Sequence, residues 1–109
     1  MPFDVTTVKF NSAGLVPCVV QENETGIVLM LAWMSKESIS KTLETKRVTF
    51  WSRSRQELWI KGETSGHSQE LIELRLDCDQ DCLLAIVNQT GPACHTGEHS
   101  CFFTTISDI

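Results

Sequence analysis

Apolar positions along this chain recur mostly at every second residue, and only once with a helical period. QELIELRLDC at 69–78 alternates cleanly: Ile72, Leu74, Leu76 and Cys78 fall on one face, and Glu73, Arg75, Asp77 and Asp79 on the other. That is the pattern of a half-buried strand. Shorter runs at 15–20, 47–52, 57–61, 83–89 and 101–106 predict further strands, and IVLMLAW at 27–33 a buried one. Gly14, Pro17 and the turn sequence QENETG at 21–26 punctuate the first two. One helix is signalled over 36–46. Ser35 suits its N-cap and Glu37 the positive end of its dipole. Met34 and Ile39 are spaced for a hydrophobic staple, Ile39 and Leu43 form an i, i+4 stripe, and Lys46 and Arg47 suit the C-terminal end. One helix among so many strands predicts an α+β domain, predominantly β, spanning 1–109. Short turns between the strands favour a curled antiparallel or mixed sheet.

Composition narrows the partners. The formal net charge of −5 argues against duplex nucleic acid or an anionic membrane. A small anionic substrate remains open, because a few local arginines can hold a phosphate. The first 14 residues lack a charged and then apolar leader, and no apolar run is long enough to span a bilayer. A cytoplasmic protein is the expectation. Five cysteines in a reducing compartment favour thiols or metal ligands over disulfides, and the odd count forbids complete pairing.

The densest chemistry lies in 74–101, which holds three alternating aspartates and four of the five cysteines. Asp77, Asp79 and Asp81 on an extended segment would project three carboxylates to one side. Their mutual repulsion invites a cation, and oxygen ligands suit Mg²⁺ or Ca²⁺. An EF-hand is excluded, because Cys82 replaces its glycine and Asn88 its final glutamate. A solvated acidic turn is the alternative. Cys78, alternating with the aspartates, points to the opposite face. Cys94 and Cys101 flank the polar loop HTGEHS, an unlikely place for an inert thiol, although their spacing is not that of a zinc ribbon or finger. Three thiolates would leave zinc an open position, the mark of a catalytic site. Cys18 and Cys82 read as packing residues. His95 is the better acid–base candidate, and His99 reads as a surface histidine.

A second dense region is WSRSRQELWIKGETSGH at 51–67. Arg53, Arg55 and Lys61, the hydroxyls of Ser52, Ser54, Thr64 and Ser65, and the glycines Gly62 and Gly66 form a combination able to wrap a phosphate or ribose. A plain turn between strands is the default reading. Trp51 and Trp59 could stack a base, although tryptophans on strands are more often core.

Taken in order, IVLMLAWM, KTLETKR, WSRSR, WIKGETSGH, RLDCDQD and QTGPACHTGEHSCF resemble the phosphoribosyl-AMP cyclohydrolase family of histidine biosynthesis, over about 26–103. The last two motifs are the most specific. The resemblance implies a zinc- and magnesium-dependent hydrolase that opens the adenine ring of 1-(5-phosphoribosyl)-AMP by attack of a zinc-activated water. It implies Asp77, Asp79 and Asp81 as Mg²⁺ ligands, and Cys78, Cys94 and Cys101 as zinc ligands. His95 is the candidate proton carrier. Arg53, Arg55, Lys61, Glu63, Thr64, Ser65, Gly66 and His67 are the candidate substrate-binding residues. It further implies a pseudo-barrel sheet in an intertwined homodimer, with each zinc site completed across the interface. His99 and Ile60 stand where the family commonly has arginine. Because the chain ends soon after CFF, a stand-alone form without a phosphoribosyl-ATP pyrophosphohydrolase domain is the expectation. A zinc nucleoside deaminase is the nearest chemical rival, but its HxE and PCxxC signatures are absent. A structural zinc module and a disulfide-stapled domain are the others.

Overall fold

A computed structural model describes residues 4–108; the first three positions of the segment read for a leader, and residue 109, lie outside the described residues. Six strands and one α-helix are formed: β1 (Leu15–Glu22), β2 (Val28–Ser35), α1 (Lys36–Thr45), β3 (Thr49–Ser52), β4 (Glu57–Ile60), β5 (Gln69–Leu76) and β6 (Leu83–Gln89). A single 3-10 turn at Val5–Thr7 precedes them. The strands make a four-stranded sheet in the order β2-β1-β6-β5 and a separate β3-β4 hairpin. The large sheet is mixed, because β1 runs parallel to β6 and antiparallel to β2. It ends in two edges, β2 and β5, so the expected pseudo-barrel is not closed.

Pro17 lies in a central strand, where a missing N–H ordinarily breaks a ladder. The register explains its tolerance. Pro17 pairs with Trp33 on β2, while pairing with β6 starts only at Cys18. The first residues of β1 are therefore still an edge. Val16, Cys18 and Val20 then alternate inward against Leu83, Ala85 and Val87. Leu29, Met34, Ile39, Val48 and Phe50 complete the core. Each such large side chain contributes about 1.5–3 kcal/mol relative to exposure. Burial pushes the Cys18 thiol up to about 12, the behaviour of a packing residue rather than a ligand.

Three strand expectations are corrected. In β5 the register shifts between Leu71 and Glu73, so Ile72 has no partner on β6. Gln69 and Leu71 are buried while Ile72 is 48% exposed. This bulge breaks the phase that grouped Ile72 with Leu74 and Leu76. Segment 27–33 was expected to be a buried strand; β2 buries Leu29, Met30 and Met34 but is an edge strand with Val28 and Leu31 exposed. Segment 101–106 forms no strand. It touches β2 through the Cys101 N–H to the Leu29 carbonyl at 2.7 Å, and Phe102 and Phe103 stand exposed beyond that point.

The helix begins as its cap residue dictates. The Ser35 hydroxyl accepts from the Ser38 N–H, and the Ser38 hydroxyl accepts from the Ser35 N–H, a reciprocal capping box. Met34 and Ile39 are both fully buried beside it, as the staple spacing predicts. The helix stops at Thr45, with Lys46 left-handed at φ 62°. Thr42 then locks the return of the chain: its buried hydroxyl donates to the Ser38 carbonyl at 2.8 Å and accepts from the Thr49 N–H at 2.9 Å. Thr42→Val keeps the shape but strands that N–H, and is expected to lose about 1–3 kcal/mol. Urea unfolding checks this; an unchanged midpoint would show that the hydroxyl is dispensable. Among the described residues no helix is long and apolar enough to cross a membrane.

Candidate active site and metal ligands

The aspartates do converge, but not by alternation along an extended segment. Residues 77–82 form the turn joining β5 to β6. The Asp77 N–H donates to the Cys82 carbonyl at 3.0 Å, and Gln80 adopts φ 66°. The Asp77 carboxylate accepts the N–H groups of Asp81 at 2.9 Å and Cys82 at 3.2 Å, folding the turn around itself. Asp77, Asp79 and Asp81 can thereby offer carboxylate oxygens within 4.8 Å of one another. The Asp77 charge holds the Asp81 carboxyl above its usual range, with smaller pushes from burial and Asp79. Three exposed oxygens in mutual repulsion match what a hard divalent cation requires.

The three cysteines are divided. Cys78 is exposed in the aspartate turn. Cys94 and Cys101 belong to the loop after β6, and among the described residues the only triad able to close on one ion is the aspartate one. The loop is held by its own backbone: the Ala93 N–H donates to His99, Cys94 to Glu98 and Gly97 to Cys94, each at 3.1 Å. It docks on the β2 edge through the Ser100 hydroxyl to the Val28 carbonyl at 2.7 Å, and through Cys101 to Leu29. Each of Cys94 and Cys101 is among the smaller influences on the other's thiol. A hydrogen bond from the Thr96 hydroxyl, at 3.0 Å, is the largest influence holding the Cys94 thiol below its ordinary range. Burial does most to raise that of Cys101. Thr96 was not singled out from sequence, although a threonine two residues after a cysteine in a turn is positioned to make this contact. His99, read as a surface residue, bonds Glu22 at 2.9 Å and ties the loop to the end of β1.

A cavity of about 490 Å³ opens beside this loop. Cys94 and His95 line it together with Arg55, Lys61, Glu63, Thr64, Ser65 and His67, which brings most of the predicted substrate-binding residues to one place. Trp59 lines it too, with its ring packed 5.4 Å from that of buried Phe50. Ile60, where the family commonly has arginine, adds apolar wall. Two predicted residues lie elsewhere. Arg53 stacks its guanidinium 4.7 Å over Trp33, and Gly66 serves the turn that shapes the wall. The ring of His67 packs so close to Gly91 that a Cβ there would come within 2.6 Å of it. Cys82 is half-buried at the aspartate turn, and desolvation is the main reason its thiol is raised.

The geometry accords with what the chain is similar to. The family profile described as phosphoribosyl-AMP cyclohydrolase matches residues 30–103. A protein of Ruegeria sp. (strain TM1040) named phosphoribosyl-AMP cyclohydrolase is 66% identical over 106 residues, covering 97% of this chain and 82% of that protein. One of the same name from Roseobacter denitrificans is 64% identical over 106 residues, with 97% and 83% covered. A third, from Ruegeria pomeroyi, is 57% identical over 108 residues, with 99% and 91% covered. On the extent of that match, this chain belongs to the phosphoribosyl-AMP cyclohydrolase family.

Proposed function

We propose that the protein hydrolyses 1-(5-phosphoribosyl)-AMP, opening its six-membered ring to the formimino-aminoimidazole carboxamide ribonucleotide, as a step of histidine biosynthesis. The observation that carries the proposal is the single cavity that gathers Cys94, His95 and the 55–67 wall in a member of this family. Its volume falls in the range of small-molecule sites, about 300–1,000 Å³. Trp59 and Leu58 offer apolar surface to a base, Thr64 and Ser65 offer hydroxyls to a ribose, and Arg55 is placed to meet a phosphate. Bound purine is oriented with the carbon bearing the exocyclic amine toward Cys94 and His95. Substitution on the adjacent ring nitrogen makes that carbon electron-poor. His95 accepts a proton from the incoming water and returns one to the ring nitrogen as the carbon–nitrogen bond breaks. The water oxygen becomes the carboxamide oxygen, and the exocyclic nitrogen is retained, so no ammonia leaves.

The donor sets fit two metals of different hardness. Asp77, Asp79 and Asp81 would hold Mg²⁺, and the Cys94–Cys101 pair would supply two of three thiolates to zinc. The third, Cys78, would come from the second copy in a homodimer, because the Cys94 loop and the aspartate turn are separate in one chain. Zinc held by these thiolates would supply acidification of a water toward neutrality. All five cysteines are free, which accords with a reducing, cytosolic setting.

The test is direct. Purified protein is expected to convert phosphoribosyl-AMP without releasing ammonia, to lose turnover to a zinc chelator and to regain it with Zn²⁺. Ammonia release would make it a deaminase. Bound zinc without any turnover would leave a structural module.

A further inference from the structure

We propose that Lys61 is a positioning residue, which pins the cysteine loop through the Ala93 carbonyl rather than holding a substrate phosphate. The inference rests on reading Cys94 and Cys101 as zinc ligands. Three contacts commit this residue, two of them through its side chain. Its ammonium donates to the Ala93 oxygen at 2.6 Å, a contact between residues 32 apart in the chain. The same ammonium lies 5.3 Å from the centre of the Trp59 ring, a platform fixed against buried Phe50. At the other end, the Lys61 backbone N–H donates to the Val48 carbonyl at 3.0 Å, so the stem is anchored in the core as well.

Ala93 directly precedes Cys94, and the N–H groups of Ala93, Cys94 and Gly97 make the bonds that shape the loop. Fixing the Ala93 carbonyl therefore fixes the direction in which the Cys94 thiol is presented. Lys61 and Cys94 also line one cavity, which puts the ammonium in the neighbourhood of that thiol. Two thiolates brought together repel, and a nearby ammonium offsets part of that repulsion. Residues that orient metal ligands in this way typically matter for metal retention more than for substrate binding. Arg55, in contrast, stands exposed at the cavity rim with only a 3.6 Å contact to Glu57, and is free to turn toward a phosphate.

The experiment compares wild type, Lys61→Met and Lys61→Arg in the full chain. In Lys61→Met, half the zinc should be extracted at about 10–100-fold lower chelator concentration. In metal-free protein, the amides of Ala93, Cys94 and Gly97 should exchange about tenfold faster, with the β1 and β6 amides unaffected. KM for phosphoribosyl-AMP should change little. Lys61→Arg, which keeps a donor, should restore most of the zinc retention and amide protection. Should the methionine variant not fold, Lys61→Leu, which also lacks a donor, serves the same comparison. Unchanged loop exchange and zinc retention with a raised KM would overturn the proposal and return Lys61 to phosphate binding. Wild-type protein that binds no zinc would sink the reading of the active site instead, and the exchange measurement would still decide the role of Lys61.

Discussion

Chains carrying Cys78→Ser and chains carrying Cys94→Ser, each inactive alone, are expected to recover about a quarter of wild-type ring opening when refolded together in equal amounts. The reason lies in the separation of the thiols. Cys94 and Cys101 share one loop docked on β2, whereas Cys78 belongs to the turn beyond β5, and no described triad contains all three. If the second chain supplies Cys78, every site of a pure variant lacks a thiolate. Loss of a ligand should exceed the roughly 10–100-fold effect of disturbing only the groups that orient one. A mixed dimer behaves differently. One of its sites collects both substitutions and the other collects neither. Half of randomly paired dimers are mixed, and half of their sites are intact. Activity against mixing ratio, with zinc content measured in parallel, checks the result. Absence of recovery at every ratio would mean that Cys78 serves its own chain, whereas a Cys78→Ser protein that is active alone with full zinc would mean that Cys78 binds none. The same experiment with Cys94→Ser and Cys101→Ser is expected to recover nothing, because those two thiols come from one chain in either arrangement.

Gly62→Ala is expected to be the most destabilising single methyl in the cavity wall. Gly62 adopts φ +81°, and a Cβ there would lie 2.4 Å from the His67 carbonyl carbon and the Ser68 nitrogen. These are backbone atoms at the entry to β5, so no side chain can swing aside. Left-handed strain and the clash together should remove about 3–5 kcal/mol, a large part of a total stability of roughly 5–15 kcal/mol. Each kcal/mol lowers the midpoint by about 4–8 °C in a domain of this size. Gly66→Ala provides the comparison. Its φ is +80°, but its Cβ would meet nothing within 4 Å. It should bear only the left-handed cost of about 1–2 kcal/mol. Thermal unfolding of the two variants separates strain from collision; equal midpoints would show that the segment yields freely at His67.

The family was legible because its motifs concentrate in short strings, and short strings survive without knowledge of the fold. The helix was legible for a related reason. Ser35, Met34 and Ile39 act within one turn of each other, and local hydrogen bonds and contacts decide such a terminus. Ile72 was not legible in this way. Its phase depends on where β5 and β6 slip by one residue, which no alternation within β5 reports. Segment 101–106 misled for the opposite reason. CFFTTI has strand-like residues, but after a single bond to Leu29 the chain leaves the β2 edge, and propensity without a partner ladder makes no strand.

The sequence by itself determined which atoms are offered for chemistry: three carboxylates in five residues, thiols bounding a polar loop, and a segment rich in hydroxyls, glycines and cations. Only the tertiary structure decided how they are grouped. The aspartates meet because Asp77 accepts two backbone N–H groups and reverses the chain, not because the segment is extended. Cys94 and Cys101 share a loop docked on β2 and bonded to Lys61, while Cys78 stays exposed in the aspartate turn. Arg53 leaves the cavity for Trp33 while Arg55 stays. Residue type and spacing set donor chemistry and local periodicity, properties of the covalent chain. Grouping depends on hydrogen bonds and packing between segments far apart in sequence, and these exist only once the sheet has closed its register.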